Sequence, residues 1–307
     1  MRTLRKLGIA AVATLTPLTL FAHAAGEPGA ETTWTFEPAV IFPLALTAVV
    51  FVVGALRRSH RPGSSVFQLS CFAAGWLTLF VALVTPVHAL GSSLFWVHMT
   101  QHELLMIVAA PLLVFARPLW WLLWALPQRY RESLGSFAKR RSVAALWSLM
   151  TLPLFVWLLH AATLWVWHIP ALYDASVEIE WAHAVQHAMF LGTALLFWWT
   201  LLHGRHGRLT SGAGVVYCFT TAVHTSVLGA LMTFAQRSWY SVYQGRTAAF
   251  HLTPLEDQQI GGLVMWVPAG VIFIALGLWL MAAWIRESER RVGYSRAEQL
   301  ATWRHGA

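Results

Sequence analysis

Long apolar runs alternate with short polar breaks along the chain. Seven runs reach the roughly 20 residues that a helix needs to cross a bilayer: Pro38–Leu56, Val66–Pro86, Phe95–Ala116, Val143–Trp167, His183–Leu202, Gly214–Ala235 and Ile260–Ile285. All are free of charged residues except the third, which Glu103 interrupts. The pattern predicts an all-α integral membrane protein with a seven-helix domain over residues 38–285. A short extracytoplasmic segment, 25–37, precedes it, and a basic cytoplasmic tail, 286–307, follows.

The first 24 residues read as a signal peptide. Arg2, Arg5 and Lys6 make a basic start, Leu7 to Phe21 is apolar, and Ala22-His23-Ala24 fits a small-x-small cleavage site. An uncleaved anchor would put residue 25 on the same side, so both readings give one orientation. The loops at 57–64, 117–142 and 203–213 and the tail after 285 are then cytoplasmic, and they hold 16 of the 21 Lys and Arg. Outside loops hold only Arg237 and Arg246. This positive-inside bias accounts for the net charge of +8 without nucleic acid. The apolar stretch from Arg117 to Pro127 is too short to span and is expected to lie in the interface or re-enter the membrane.

Composition narrows the class. With 57% hydrophobic and 11% charged residues, against about 25% charged in soluble domains, a globular enzyme with a large wet surface is excluded. The 18 Trp, many near the ends of runs, suit interfacial anchors. Cys71 and Cys218 lie in separate runs at no metal or redox spacing and are expected to be small core residues. No G-x-S-x-G elbow or phosphate-cradling glycine loop occurs. His102-Glu103-Leu-Leu-Met106 lacks the second His of the zinc-protease string H-E-x-x-H.

One pattern occurs twice. Trp96-Val-His98-Met-Thr-Gln101-His102 and Trp181-Ala-His183-Ala-Val-Gln186-His187 both read W-x-H-x-x-Q-H. Residues four apart share a helix face, so each copy points two imidazoles the same way at the outer mouth of a span. Each copy also follows an in-to-out helix and an outside loop, which suggests two similar hairpins in parallel orientation. Both copies run outside to inside, so His102 and His187 lie at matching depth, about 6 Å below His98 and His183. His168 ends the fourth span on the same side.

These five, His98, His102, His168, His183 and His187, are the candidates for an outer-face metal or haem site between helices. Imidazole suits copper, zinc, iron and nickel, and the lack of an outer Cys excludes a thiolate copper site. Met106, four residues after His102, is a candidate soft ligand for cuprous ion. His160, about 12 Å deeper than His168, and His224, near mid-membrane, are further candidates, as are the outer carboxylates Asp174 and Asp257. Glu103 needs a partner inside an apolar run; it can orient a ligand His or bond a neighbouring helix. The alternative for all the imidazoles is hydrogen bonding that holds helices together. For the Glu256-Asp257-Gln258-Gln259 run, the alternative is a helix cap alone.

Four strings carry a resemblance. They are His98-Met-Thr-Gln-His102-Glu-Leu-Leu-Met-Ile-Val-Ala-Ala-Pro111, Trp167-His168-Ile-Pro170-Ala-Leu-Tyr173-Asp174 with His183 and His187, Leu228-Gly-Ala-Leu-Met-Thr-Phe234, and Glu256-Asp-Gln-Gln-Ile-Gly-Gly-Leu-Val-Met-Trp-Val-Pro268. In this order, over about residues 40–285, they are similar to the signatures of the multi-span CtaG-type cytochrome c oxidase assembly factors. Two positions depart from that pattern: family members often have an apolar residue at Glu103 and an acid at Gln186. The resemblance implies a seven-helix protein of the bacterial cytoplasmic membrane that is needed to build active haem–copper oxidase through copper handling, with no catalytic reaction of its own. Its expected partners are oxidase subunits, a copper donor and the lipid bilayer.

The expectation is therefore a non-enzymatic factor that binds copper at its extracytoplasmic face and supports delivery to an oxidase copper centre. Two alternatives stand beside it. One is a haem electron-transfer protein with His102 and His187 as axial ligands, and the other is a metal-free scaffold.

Overall fold

The computed structural model describes residues 33–58, 66–203 and 209–305, with side chains described as far as residue 292. The expected signal peptide and His23, His60 and His206 lie outside these residues. Among the described residues every regular element is a helix.

Helices α1 (Pro38–Arg58) and α2 (Val66–Val84) form the first two expected spans. The second ends two residues early. Thr85 starts a short helix, α3 (Pro86–Gly91), its side chain accepting a hydrogen bond from the Val87 amide, with Pro86 at a first-turn position where no N–H is needed. The third span is composite. It consists of α4 (Phe95–Glu103), a π-helical segment (Leu104–Ala109) and α5 (Ala110–Ala116).

Proline chemistry accounts for the π segment. The Ala110 amide bonds five residues back, to the Leu105 carbonyl. Pro111 has no N–H to offer the Met106 carbonyl in the same register. That carbonyl instead accepts from Trp198 Nε1 at 2.9 Å, so the irregular turn leaves no orphan acceptor there.

Arg117, in the left-handed region at φ 50°, then reverses the chain. The apolar segment that follows forms α6 (Pro118–Ala125) and folds back along α1. Gly54 makes this possible, because the Trp121 carbonyl lies where a Cβ would stand. Trp121 is buried and packs against Phe51. Helix α7 (Gln128–Ala138) buries no side chain.

The fourth expected span is not one straight helix. It consists of α8 (Arg141–Met150) and α9 (Pro153–Trp167), bent by 57°. Pro153 forces Leu152 into an extended conformation, and the α-helix cannot run through it. After α10 (Pro170–Glu178) come α11 (Glu180–His203), α12 (Ser211–Thr233) and α13 (Pro254–His305). Among the described residues six helical stretches are long and apolar enough to cross a membrane, and the bent α8–α9 pair makes seven if it counts as one span. Large apolar side chains such as Phe42, Leu154, Phe219 and Ile274 face outward, as suits a lipid-exposed surface.

Small residues set the closest helix contacts. Gly229 of α12 lies against the Trp266 side chain of α13, and Gly262 lies against Thr233 and the Gly229 carbonyl. Gly261 lets α13 press onto the Phe95 ring at the start of α4. This last contact sets the position of the helix that bears the first histidine pair.

Candidate metal centre

The imidazoles meet at one end of the bundle. Helix α4 supplies His98 and His102, and α11 supplies His183 and His187. Within each pair the ring centroids lie 4.4 Å and 4.1 Å apart, as the four-residue spacing dictates. Between the helices His98 lies 5.1 Å from His183, and His102 lies 5.3 Å from His187. The two pairs therefore face each other at matched depth. Helix α3 adds His88, whose ring stacks on His183 at 5.0 Å.

Two groups of three could each hold an ion, with ligating nitrogens all within 4.8 Å of one another. The deeper group is His98, His102 and His187, and all three are buried. The shallower group is His88, His183 and His187. His187 belongs to both.

Hydrogen bonding separates the two groups. His98 Nδ1, both nitrogens of His102 and His187 Nε2 are buried without a partner. Buried polar atoms are nearly always paired, so four such nitrogens around one point are a set of available lone pairs and donors. His98 Nε2 is bonded to Gln186 Oε1 at 3.3 Å, so Nε2 carries the proton and Nδ1 the lone pair. His88, in contrast, is engaged on both sides. Its Nδ1 accepts from Gln101 Nε2 at 2.9 Å, and its Nε2 lies 3.5 Å from Glu37. The shallower group can close on an ion only if His88 gives up one of these contacts.

His168 lies beside the cluster, outside both groups, with its ring 6.4 Å from His102. Its Nδ1 donates to the Leu164 carbonyl at 2.6 Å, which leaves a buried, unpartnered Nε2 lone pair. Burial pulls its pKa down to about 4, so the ring is neutral at physiological pH. Above it an aromatic layer closes the end of the bundle. Tyr173 bonds Tyr243 at 3.0 Å, Tyr243 donates to the Gly91 carbonyl, and Tyr240 donates to the His168 carbonyl. Burial raises all three phenol pKa values above their ordinary range.

The other sequence candidates are placed elsewhere. Asp257 touches no imidazole. Its carboxylate accepts from the backbone amides of Phe95 at 2.7 Å and Trp96 at 3.1 Å, so it caps α4 from another helix. Asp174 binds Ser241 through backbone and hydroxyl. Met106 follows His102 across an irregular turn. The π segment begins at Leu104 and breaks the four-residue register with His102, and Met106 lines a deeper cavity with Glu103 and His160. His224 packs on the Trp157 ring.

His88 was not among the sequence candidates. It carried one signal: a His two residues from a Pro at the outer end of the second span, as His168 is two residues from Pro170 at the end of the fourth. The closing tyrosines Tyr240 and Tyr243 had no such signal, because they come from the loop between α12 and α13.

The family described as the cytochrome c oxidase caa3 assembly factor matches residues 31–287. The chain is 26% identical to an uncharacterized protein of Mycobacterium leprae, over 84% of this chain and 40% of that protein. It is 25% identical, with the same coverage, to uncharacterized proteins of Mycobacterium bovis and Mycobacterium tuberculosis. The chain thus spans about 40% of the length of these curated relatives. No solved structure matches it.

Proposed function

The chain belongs to the cytochrome c oxidase caa3 assembly factor family, and from that premise we propose that it binds copper at its imidazole-lined end and supports transfer of the metal to an oxidase copper centre. The observation that carries this reading is the deeper group, in which His98, His102 and His187 converge with buried, unpartnered nitrogens. Imidazole is a good copper ligand, and a neutral three-nitrogen site suits a monovalent ion in a low-dielectric end of a bundle.

The uneven hydrogen bonding gives the two groups different roles. His88 and His183 receive copper from a donor on the extracytoplasmic side, the side assigned by the positive-inside bias. The ion then moves to His98 and His102, with His187 a ligand in both positions. His88 returns to Gln101 and Glu37 once the ion has moved on. Gln186 holds the tautomer of His98, as groups behind metal ligands commonly do.

Crowding favours a bare ion over haem. The rings of His98 and Phe190 lie 4.4 Å and 4.5 Å from His102, and His183 lies 4.1 Å from His187. A porphyrin between His102 and His187 would have to displace them. Purified protein is expected to be colourless and to lack a Soret band.

The test is copper loading of purified protein with cuprous ion, followed by X-ray absorption. Wild type should hold a copper ion with nitrogen ligands alone, and H102A/H187A should lose that all-nitrogen copper while still inserting in the membrane. Wild type without all-nitrogen copper, or normal oxidase copper content in cells carrying only the double variant, would overturn the proposal.

A further inference from the structure

Below the imidazole cluster four helices enclose a small cavity of about 20 Å³, room for one water or one bare ion. Glu103 and Met106 reach it from α4 and the π segment, His160 from α9, Thr225 from α12 and Met265 from α13. The rest of its lining is aliphatic or aromatic. Polar groups are costly at this depth, and Glu103 Oε2 is buried without a hydrogen-bond partner. The π segment starts immediately after Glu103, and such irregular turns often mark functional positions.

The tautomer of His160 follows from its neighbour. Thr193 Oγ1 gives its proton to the Met189 carbonyl at 2.8 Å. The 3.0 Å contact between Thr193 Oγ1 and His160 Nδ1 is therefore a bond donated by Nδ1–H. His160 Nε2 is left with its lone pair, the form that a metal ligand needs. Among the described residues neither Glu103 nor His160 belongs to a group of three His, Cys, Asp or Glu at ligand distance. Met106 and Met265, which also line the cavity, carry the thioethers that can complete the set.

We propose that Glu103, Met106, His160 and Met265 form a second, deeper site that takes a cuprous ion. Thioethers select soft monovalent copper over zinc or magnesium. One carboxylate balances one positive charge, and a neutral pair is the least costly form in which either can lie inside a membrane. The identity of the ion rests on the copper reading above; the cavity and its donor set stand without it. The alternative is that both methionines only fill space, as this flexible side chain often does, and that a water bridges Glu103 and His160.

Sulfur separates the two sites, because the upper groups are all nitrogen. The full chain in detergent, loaded with cuprous ion, should hold two equivalents with both nitrogen and sulfur around copper. In H102A/H187A one equivalent should remain, with sulfur. Adding M106L and M265L, which nearly conserve volume, should remove that equivalent and its sulfur signal. E103Q in the H102A/H187A background should weaken copper binding by about tenfold or more, with an unchanged elution profile as the check on folding. A wild type with one equivalent and nitrogen alone would overturn this site and leave the upper one standing. Sulfur-bound copper that survives H102A/H187A, with no all-nitrogen copper in wild type, would do the reverse. Copper binding unchanged by both the Met pair and E103Q would also overturn it.

Discussion

Gln101 and Gln186 hold the same place in the two repeated strings, yet they serve different histidines. Gln101 turns back toward the second span, bonding the Ala82 carbonyl and His88. Gln186 reaches across to His98 on the other copy. The first string lies deep, with Asp257 of α13 capping its helix. The second lies at the margin, with Trp181 66% exposed and His183 partly exposed. Identical spacing thus produces two unequal halves. The buried copy supplies two of the three imidazoles of the deeper group, and the marginal copy supplies two of the three of the shallower group. The asymmetry comes from neighbours, since the local helix geometry of the two copies is the same.

The largest effect should come from His187, the residue common to both imidazole groups. His187→Ala should remove the all-nitrogen copper, whereas His88→Ala should leave the His98, His102 and His187 group able to bind and only slow its loading. Stopped-flow transfer from a cuprous donor, together with equilibrium stoichiometry, distinguishes the two. Equal equilibrium losses in both variants would contradict the division into a receiving and a holding position.

Next in size is the cap that distinguishes the first copy. Asp257→Ala leaves two buried amides at the start of α4 without an acceptor, at about 2–4 kcal/mol of stability. Denaturant unfolding in detergent measures it. Asp257→Asn retains one acceptor and should cost less. A change within measurement error for Asp257→Ala would mean that water replaces the carboxylate.

Gln186→Ala should then weaken copper binding by about 10- to 100-fold by releasing the His98 tautomer. Gln101→Ala should spare equilibrium affinity, because it frees His88 and touches nothing in the deeper group. Competition with a cuprous chelator reads both. Trp181→Ala, on the exposed margin of the second copy, should change stability by no more than about 0.5 kcal/mol.

Much of this arrangement was legible along the chain. The apolar runs located the helices, and their boundaries moved by only a few residues for α11 and α12. Periodicity paired His98 with His102 and His183 with His187, and the common helix direction matched their depths. The fourth span was marked as one run, and the 57° bend that Pro153 introduces was not anticipated. Met106 was placed under His102 by an α-helical register that Pro111 interrupts. Asp257 was read either as a neighbour of the imidazoles or as part of a helix cap; it caps, but the helix is α4 and not its own, and a distant backbone donor leaves no mark in the side-chain pattern.

The sequence by itself determined that the chain crosses a membrane as helices, and that two pairs of imidazoles project from two of them at one end. Those facts follow from local periodicity and from burial cost, which act within a single helix. Only the tertiary structure decided that His88 belongs with them, that His168 stands beside them, that His187 is shared and that Glu103, Met106, His160 and Met265 surround one cavity. These relations depend on how helices rotate and approach one another. That is set by contacts such as Gly261 on Phe95 and Gly262 on Gly229, which join residues far apart in the chain.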